Sequence, residues 1–93
     1  MVVEVENLKT KERFSMSRDG VFIFVGMIPN SNLLEKTGIK LNKYGYIPTD
    51  DVMQTNIENV YAVGDIRDKK TWQITVAVGE GTIAALDIVK KSI

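Results

Sequence analysis

Cysteine and histidine are both absent from the 93-residue sequence. Without cysteine the chain can form no disulfide, thiolate nucleophile or cysteine metal site, and without histidine it lacks the commonest general base and metal ligand. The sequence therefore predicts no catalytic residue and no metal site. A chain without disulfides is compatible with the cytoplasm, which is the localisation we expect.

Charge imbalance and long apolar runs are missing as well. Twelve basic residues balance twelve acidic ones, so charge gives no reason to expect nucleic acid or an anionic membrane as partner. No apolar run approaches the about 20 residues that span a bilayer, and no charged-then-apolar leader opens the chain. Neither a G-x-G-x-x-G motif nor a phosphate loop is present. The composition, 44% apolar and 26% charged, is typical of one small globular domain.

The first half of the sequence predicts strands and turns. Residues 1–18 predict a β-hairpin, in which apolar and polar residues alternate on both sides of a polar turn. Val21–Val25 is a continuous apolar run, which predicts a strand covered on both faces. A short helix with Ser31 or Asn32 as its N-cap is expected to end before Gly38.

The clearest predicted helix runs from Gln73 to about Lys91. Gly79 and Gly81 would each cost about 1 kcal/mol relative to alanine on a solvated helix, so we expect another backbone to pack closely there. Apolar residues recur mostly at three- and four-residue steps and predict the buried face. These residues are Ile74, Ala77, Val78, Ile83, Leu86 and Val89.

A polar turn, a short apolar strand and a Gly-Asp pair follow one another in residues 55–65. Asp65, beside the side-chain-free Gly64, could accept hydrogen bonds from a ligand hydroxyl. Alternatively, Asp65 is an ordinary loop aspartate that caps the next helix, although its separation from Gln73 disfavours direct capping. Five basic residues are interpreted as solvated charges: Lys9, Lys11, Arg13, Lys69 and Lys70.

The start of the C-terminal helix is a second candidate feature. Near Trp72, Gln73 and Ile74 the helix presents free backbone N–H groups and a partial positive charge, which can stabilise an anion. Every helix has such an end, so this feature alone decides nothing. Trp72 is equally compatible with packing on its own domain.

Five separated motifs occur in a specific order. They are GVFIFVGMIPN at 20–30, YGYIPTD at 44–50, MQTN at 53–56, VYAVGD at 60–65 and AVGEGTIAA at 77–85. From about Asp19 onward this series resembles the C-terminal portion of thioredoxin reductases, within the pyridine nucleotide-disulfide oxidoreductases. The resemblance implies an α/β fold in which residues 19–93 form the C-terminal part of a Rossmann-like FAD-binding domain. Residues 1–18 would be the hairpin that ends the NADPH-binding domain.

The resemblance also implies a set of cofactor-binding residues. Gly64 and Asp65 would bind the ribityl chain of FAD. Gln73 and Ile74 would face the pyrimidine edge of the isoalloxazine ring. Trp72 would lie beside them, although relatives often carry a basic residue at its position.

The implied parent protein passes electrons from NADPH through FAD to a disulfide such as that of thioredoxin. This sequence has neither the Cys-x-x-Cys nor the two glycine-rich nucleotide motifs of such a protein. We therefore expect it to need an N-terminal FAD half and an NADPH domain, and to be inactive alone. The alternative is a self-standing, non-catalytic protein that uses an exposed edge at Val21–Val25 to form homo-oligomers or to bind another chain.

Overall fold

A computed structural model describes all 93 residues and has an α/β architecture. Two strands come first, β1 at Val2–Glu6 and β2 at Arg13–Ser17. Single 3-10 turns follow at Asn32–Leu34 and Gly64–Ile66, and the helix α1 occupies Ile74–Ser92. The expected hairpin and C-terminal helix are thus confirmed. No helix is both long and apolar enough to cross a membrane.

The hairpin forms because its turn and its strand pairing are both local. Strands β1 and β2 pair antiparallel, and Val3 faces Met16 as the half-buried pair on one side. Asn7 closes the turn: its N–H donates to the Glu12 carbonyl at 2.9 Å and its side-chain oxygen accepts from the Lys9 N–H at 3.0 Å. The hairpin packs on no other element, so most of its side chains are exposed.

The middle of the chain is held by turns and two isolated bridges. Ile47 pairs parallel with Arg67, and Gln54 pairs antiparallel with Tyr61. The bridges surround a very small core, because only six residues of the chain are buried. The buried apolar residues are Ile47, Met53, Ala62 and Ala84.

Three predictions for this region are wrong, wholly or in part. Val21–Val25 forms no strand, and its five residues are between 50% and 90% exposed. A strand needs neighbouring strands to pair its N–H and C=O groups, and nothing in the chain supplies them there. The short helix after Ser31 is a 3-10 turn, and the apolar segment before Gly64 is reduced to the Tyr61 bridge.

Helix α1 begins and ends close to its predicted bounds, with Gln73 as N-cap. The predicted buried face is wrong: apart from half-buried Ala77, the apolar side chains named above are exposed. The helix instead packs through a face of small and polar residues, namely Ala77, Glu80, Ala84 and Asp87. No atom outside the helix lies near the positions where Gly79 and Gly81 would carry a Cβ, so the backbone expected there is not in this chain.

Candidate functional site

The Gly64–Ile66 turn is fixed at several backbone atoms. Gly64 has φ +83°, a conformation that side chains disfavour, and its carbonyl accepts the Arg67 N–H at 3.1 Å. Ile47 pairs with the same turn through its N–H, which donates to the Ile66 carbonyl at 2.9 Å. The Ile47 carbonyl in turn accepts the Asp68 N–H at 2.9 Å. These bonds leave little freedom to the backbone that carries Asp65.

The side chain of Asp65 is available to a ligand. Asp65 is exposed, and its carboxylate oxygens have no hydrogen-bond or ion-pair partner in the chain. Its carbonyl accepts the Trp72 Nε1–H at 3.2 Å. The Trp72 ring packs on Tyr46 with a centroid distance of 5.1 Å, so this tryptophan braces the turn from within its own chain. Asp65 does not cap α1, whose N-cap is Gln73.

A cavity of about 480 Å³ opens beside Asp65, within the size range of small-molecule sites. Its wall combines the loop after the apolar run with Tyr46 and the turn itself. Gly45, with φ +90°, keeps this wall tight, because an added Cβ would lie 3.1 Å from Pro29 Cγ. The lining residues are Met27, Ile28, Pro29, Asn30, Tyr46, Asp65 and Ile66.

Glu80 of α1 holds the turn and the loop after it. Its Oε1 accepts the Gly64 N–H at 2.9 Å and Lys69 Nζ at 2.8 Å. Its Oε2 accepts Arg67 Nη2 at 2.8 Å, and Arg67 Nη1 donates to Thr49 Oγ1 at 3.2 Å. The buried Arg67 Nε has no partner. One carboxylate thus joins the helix to three points of the loop.

The environment of Glu80 keeps its carboxylate ionised. Burial acts to raise the pKa of Glu80, since the residue is only 3% exposed. The hydrogen bonds from Arg67, Lys69 and the Gly64 N–H outweigh burial and lower this pKa to about 2. The interpretation of Lys69 as a solvated charge is wrong, because its side chain is only 4% exposed and pairs with Glu80.

Glu80 is the site residue that the sequence reasoning missed. A weak signal was present: an acid sits between two glycines in α1, and two basic residues, Arg67 and Lys69, stand in the loop before the helix. The length and direction of the connecting loop decide whether these charges meet, and neither follows from residue periodicity. The structure was needed to join them.

The structure brings only part of the predicted set to the cavity. Asp65 lines the cavity. Trp72 does not line it but packs on Tyr46, which does. Gln73 and Ile74 follow at the start of α1, exposed and outside the cavity wall. No side chain caps the first turn of α1, so its N–H groups are available.

A second polar cluster lies further along α1. The Tyr61 hydroxyl donates to Asp87 Oδ2 at 2.5 Å, and Lys91 Nζ donates to the same carboxylate oxygen at 3.0 Å and to Tyr61 Oη at 3.1 Å. The hydrogen bond from Tyr61, followed by that from Lys91, lowers the pKa of Asp87. The hydrogen bond that Lys91 makes with Tyr61, followed by the one with Asp87, raises the pKa of Lys91. This cluster ties the end of α1 to the segment before Gly64. No group of acidic side chains in the chain could hold a metal ion.

Comparison with known proteins identifies the family. The sequence model described as pyridine nucleotide-disulphide oxidoreductase matches residues 2–81, which is most of the chain. The chain belongs to the pyridine nucleotide-disulphide oxidoreductase family. The resemblance to thioredoxin reductases is confirmed by this match together with the relatives and the solved structure described next, and the Gly64–Asp65 turn lies inside the matched region.

Curated relatives of this oxidoreductase-family chain are much longer than it is. It is 49% identical over 84 residues to the 34.2 kDa protein in rubredoxin operon of Clostridium pasteurianum, covering 90% of the chain and 27% of that protein. It is 47% identical over 79 residues to thioredoxin reductase of Bacillus subtilis, covering 85% and 25%. The chain thus spans about a quarter of the length of these relatives.

A solved structure agrees with the family assignment. The chain superposes on thioredoxin reductase of T. acidophilum with a TM-score of 0.83 at 40% identity. The superposition covers 98% of this chain and 30% of that one. This oxidoreductase-family chain therefore has the backbone course of nearly a third of a thioredoxin reductase.

Proposed function

We propose that the chain supplies part of the FAD site of a thioredoxin-reductase-like flavoprotein. The observation that carries the proposal is the exposed carboxylate of Asp65, which has no partner in the chain and lines a cavity of about 480 Å³. A carboxylate held on a braced turn can accept hydrogen bonds from the hydroxyls of a ribityl chain. Gly64, at φ +83°, lets the backbone approach a ligand closely.

The residues present fit the flavin in chemical type. Asp65 offers acceptors for hydroxyl groups, and the Met27, Ile28 and Tyr46 side chains offer apolar contact for a planar ring. Trp72, Gln73 and Ile74 lead into α1, whose uncapped first-turn N–H groups suit the electron-rich pyrimidine edge of the ring. Bound FAD would supply the chemistry, taking electrons from NADPH and giving them to a disulfide such as that of thioredoxin.

The proposal divides the chain into two parts. Residues 1–18 correspond to the hairpin that ends an NADPH-binding domain, and residues 19–93 to the C-terminal part of a Rossmann-like FAD-binding domain. The hairpin makes no contact with another element, as expected for a piece whose own domain lies elsewhere. The chain's role is to bind and orient the cofactor, and it needs the other FAD half and an NADPH domain for turnover.

A chimera tests this function directly. The segment of Bacillus subtilis thioredoxin reductase that aligns with the chain, 25% of that relative, is replaced by the chain, and the relative provides the remainder. We expect the purified chimera to carry FAD and to reduce a disulfide with NADPH. Asp65→Ala should lower its FAD affinity about tenfold or more, since a charge-assisted hydrogen bond is lost.

Asp68→Ala is the matched control, because Asp68 is an exposed acid of the same loop that engages only its backbone. Its FAD affinity should equal that of the parent chimera. Equal FAD affinity in the Asp65→Ala and parent chimeras would contradict the cofactor role of Asp65. The same titration on the isolated chain, followed by flavin fluorescence, measures how much of the site the chain holds alone.

A second candidate function is that of a non-catalytic module that associates with itself. Phe22 and Phe24 favour it: their rings stack with centroids 6.3 Å apart while both side chains remain exposed. Stacked, exposed aromatic rings are typical anchors of protein interfaces.

A further inference from the structure

We propose that Glu80 is a positioning residue of the Asp65 site, holding the Gly64 N–H, Arg67 and Lys69 so that the Asp65 carboxylate faces the cavity. The part of this inference that concerns FAD rests on the function proposed above. The part that concerns the shape of the turn stands on the contacts within the chain.

The first step concerns the Gly64 N–H. This group has no backbone partner, and Glu80 Oε1 accepts it at 2.9 Å. This N–H belongs to the residue before Asp65. Its hydrogen bond therefore fixes the orientation of the backbone at the start of the turn. A side chain of α1, sixteen residues away, therefore fixes the first atom of the turn.

The second step concerns the exit of the turn. Arg67 follows Asp65 by two residues and binds the other oxygen of Glu80 at 2.8 Å. The Lys69 ammonium, two residues further on, binds Oε1 at 2.8 Å. The Glu80 carboxylate thus binds both ends of the turn, while the exposed Asp65 side chain has no partner in the chain and lines the cavity.

The third step concerns specificity for the carboxylate. Glu80 is nearly fully buried and accepts three donors, two of them cationic. Removing one partner of such a set leaves buried donors unsatisfied, which costs more than the bonds themselves gain. Glutamine cannot serve the set, because its amide nitrogen would face Arg67 or Lys69 with another donor. The site needs a carboxylate at this position.

The test combines a shape readout with a ligand readout. Trp72 is the only tryptophan, and its Nε1 binds the Asp65 carbonyl, so its emission in the isolated chain reports the turn. FAD affinity is measured in the chimera described above. Glu80→Gln should shift the Trp72 emission to the red and weaken FAD binding about tenfold or more. Glu80→Asp should recover part of both effects.

Two variants separate the possible failures. Asp65→Ala should weaken FAD binding and leave the Trp72 emission unchanged, because its backbone keeps every bond. Asp87→Asn removes the other partly buried acid on the same face of α1 and should change neither readout. An unchanged Trp72 emission in Glu80→Gln, or an equal change in Asp87→Asn, overturns the positioning role. Unaltered FAD affinity in Asp65→Ala with a shifted emission in Glu80→Gln overturns the cofactor role alone.

Discussion

At the scale of single residues, Glu80 makes the turn sensitive to acid. Its pKa of about 2 lies below the ordinary value of 4.5, so its stabilising effect is full above pH 4.5 and is lost as the pH falls toward 2. A shift of this size corresponds to about 3 kcal/mol. The groups that face Glu80 are Arg67, Lys69 and the Gly64 N–H. We expect the Trp72 emission to change between pH 4.5 and 2.

Glu80→Gln is the control for this acid transition. The variant has no carboxyl group at the position, so its Trp72 emission should be altered already at neutral pH and change much less on acidification. An acid transition of equal amplitude in the variant would show that other carboxyl groups control the turn. Trp72 is well placed to distinguish these outcomes because it contacts the turn directly.

Two glycines near the cavity predict different sensitivities to alanine. Gly45 and Gly64 both have positive φ, of 90° and 83°, and alanine in this region costs about 1–2 kcal/mol. At Gly45 the new methyl group would also lie 3.1 Å from Pro29 Cγ, whereas at Gly64 its nearest neighbour is Ala77 Cβ at 3.9 Å. Gly45→Ala should therefore lower the urea midpoint, read by Trp72 emission, more than Gly64→Ala does. The reverse order would contradict the packing described for Pro29.

At the scale of elements, the residue pattern predicted those elements whose stability depends on interactions between residues close in sequence. The hairpin and α1 were predictable because alternation, turn residues and helical periodicity act over a few residues. The pattern at Val21–Val25 predicted a strand that does not form, because a strand needs neighbouring strands to pair with. The apolar stripe of α1 predicted a buried face, yet Ala77 is its only half-buried member, and Glu80, outside the stripe, binds the Gly64 N–H of the turn.

The candidate site divides in the same way. Asp65 could be singled out as a candidate because it ends a contiguous motif at a Gly-Asp pair. Glu80 could not, because its three partners precede it by 11 to 16 residues across a loop. Pairing at such separations depends on the path of the loop, which no periodicity encodes.

The polar cluster at the end of α1 gives a prediction for the helix. Tyr61→Phe removes the hydroxyl that bonds both Asp87 and Lys91. The pKa of Asp87, lowered first by this hydroxyl, should move up toward its ordinary value of 3.8, and the raised pKa of Lys91 should move down. Carboxyl titration by NMR measures the first change. Hydrogen exchange in the last two turns of α1 should become faster.

Tyr44→Phe is the matched control for this substitution. The Tyr44 side chain is exposed and its hydroxyl makes no hydrogen bond, so neither the Asp87 titration nor the exchange of α1 should respond. Unchanged exchange in Tyr61→Phe would mean that Lys91 and Asp87, four residues apart on the helix, hold its end without the tyrosine.

At the scale of the whole molecule, the chain exposes far more surface than its mass requires. A compact protein of 10.4 kDa exposes about 5,400 Å², whereas this chain exposes 7804 Å². The radius of gyration is 19.7 Å, compared with about 12 Å for a compact chain of this length. The surplus of about 2,400 Å² is about three times one side of a standard interface. We therefore expect another protein surface to cover part of this chain.

Substitution of the exposed Phe22 and Phe24 tests whether a second copy of the chain covers this surface. We expect the isolated chain to self-associate with rising concentration, and the double substitution Phe22→Ser and Phe24→Ser to weaken that association in light scattering. Leu33→Ser is the control, because Leu33 is 90% exposed, as Phe24 is at 89%, but lies outside the apolar segment. A monodisperse monomer at high concentration would contradict self-association.

The same double substitution distinguishes the two candidate functions, because they predict different effects on the FAD content of the chimera. In the chimera we expect the rest of the relative to cover the Val21–Val25 segment. If it does, the Phe22→Ser and Phe24→Ser pair should lower FAD content by disturbing the cavity wall at Met27 and Ile28. If self-association is the function, the pair changes the light scattering of the isolated chain and leaves FAD content in the chimera intact. If the double substitution lowers both the FAD content of the chimera and the self-association of the isolated chain, one apolar surface serves both. It supports the cofactor domain when covered and drives association when exposed.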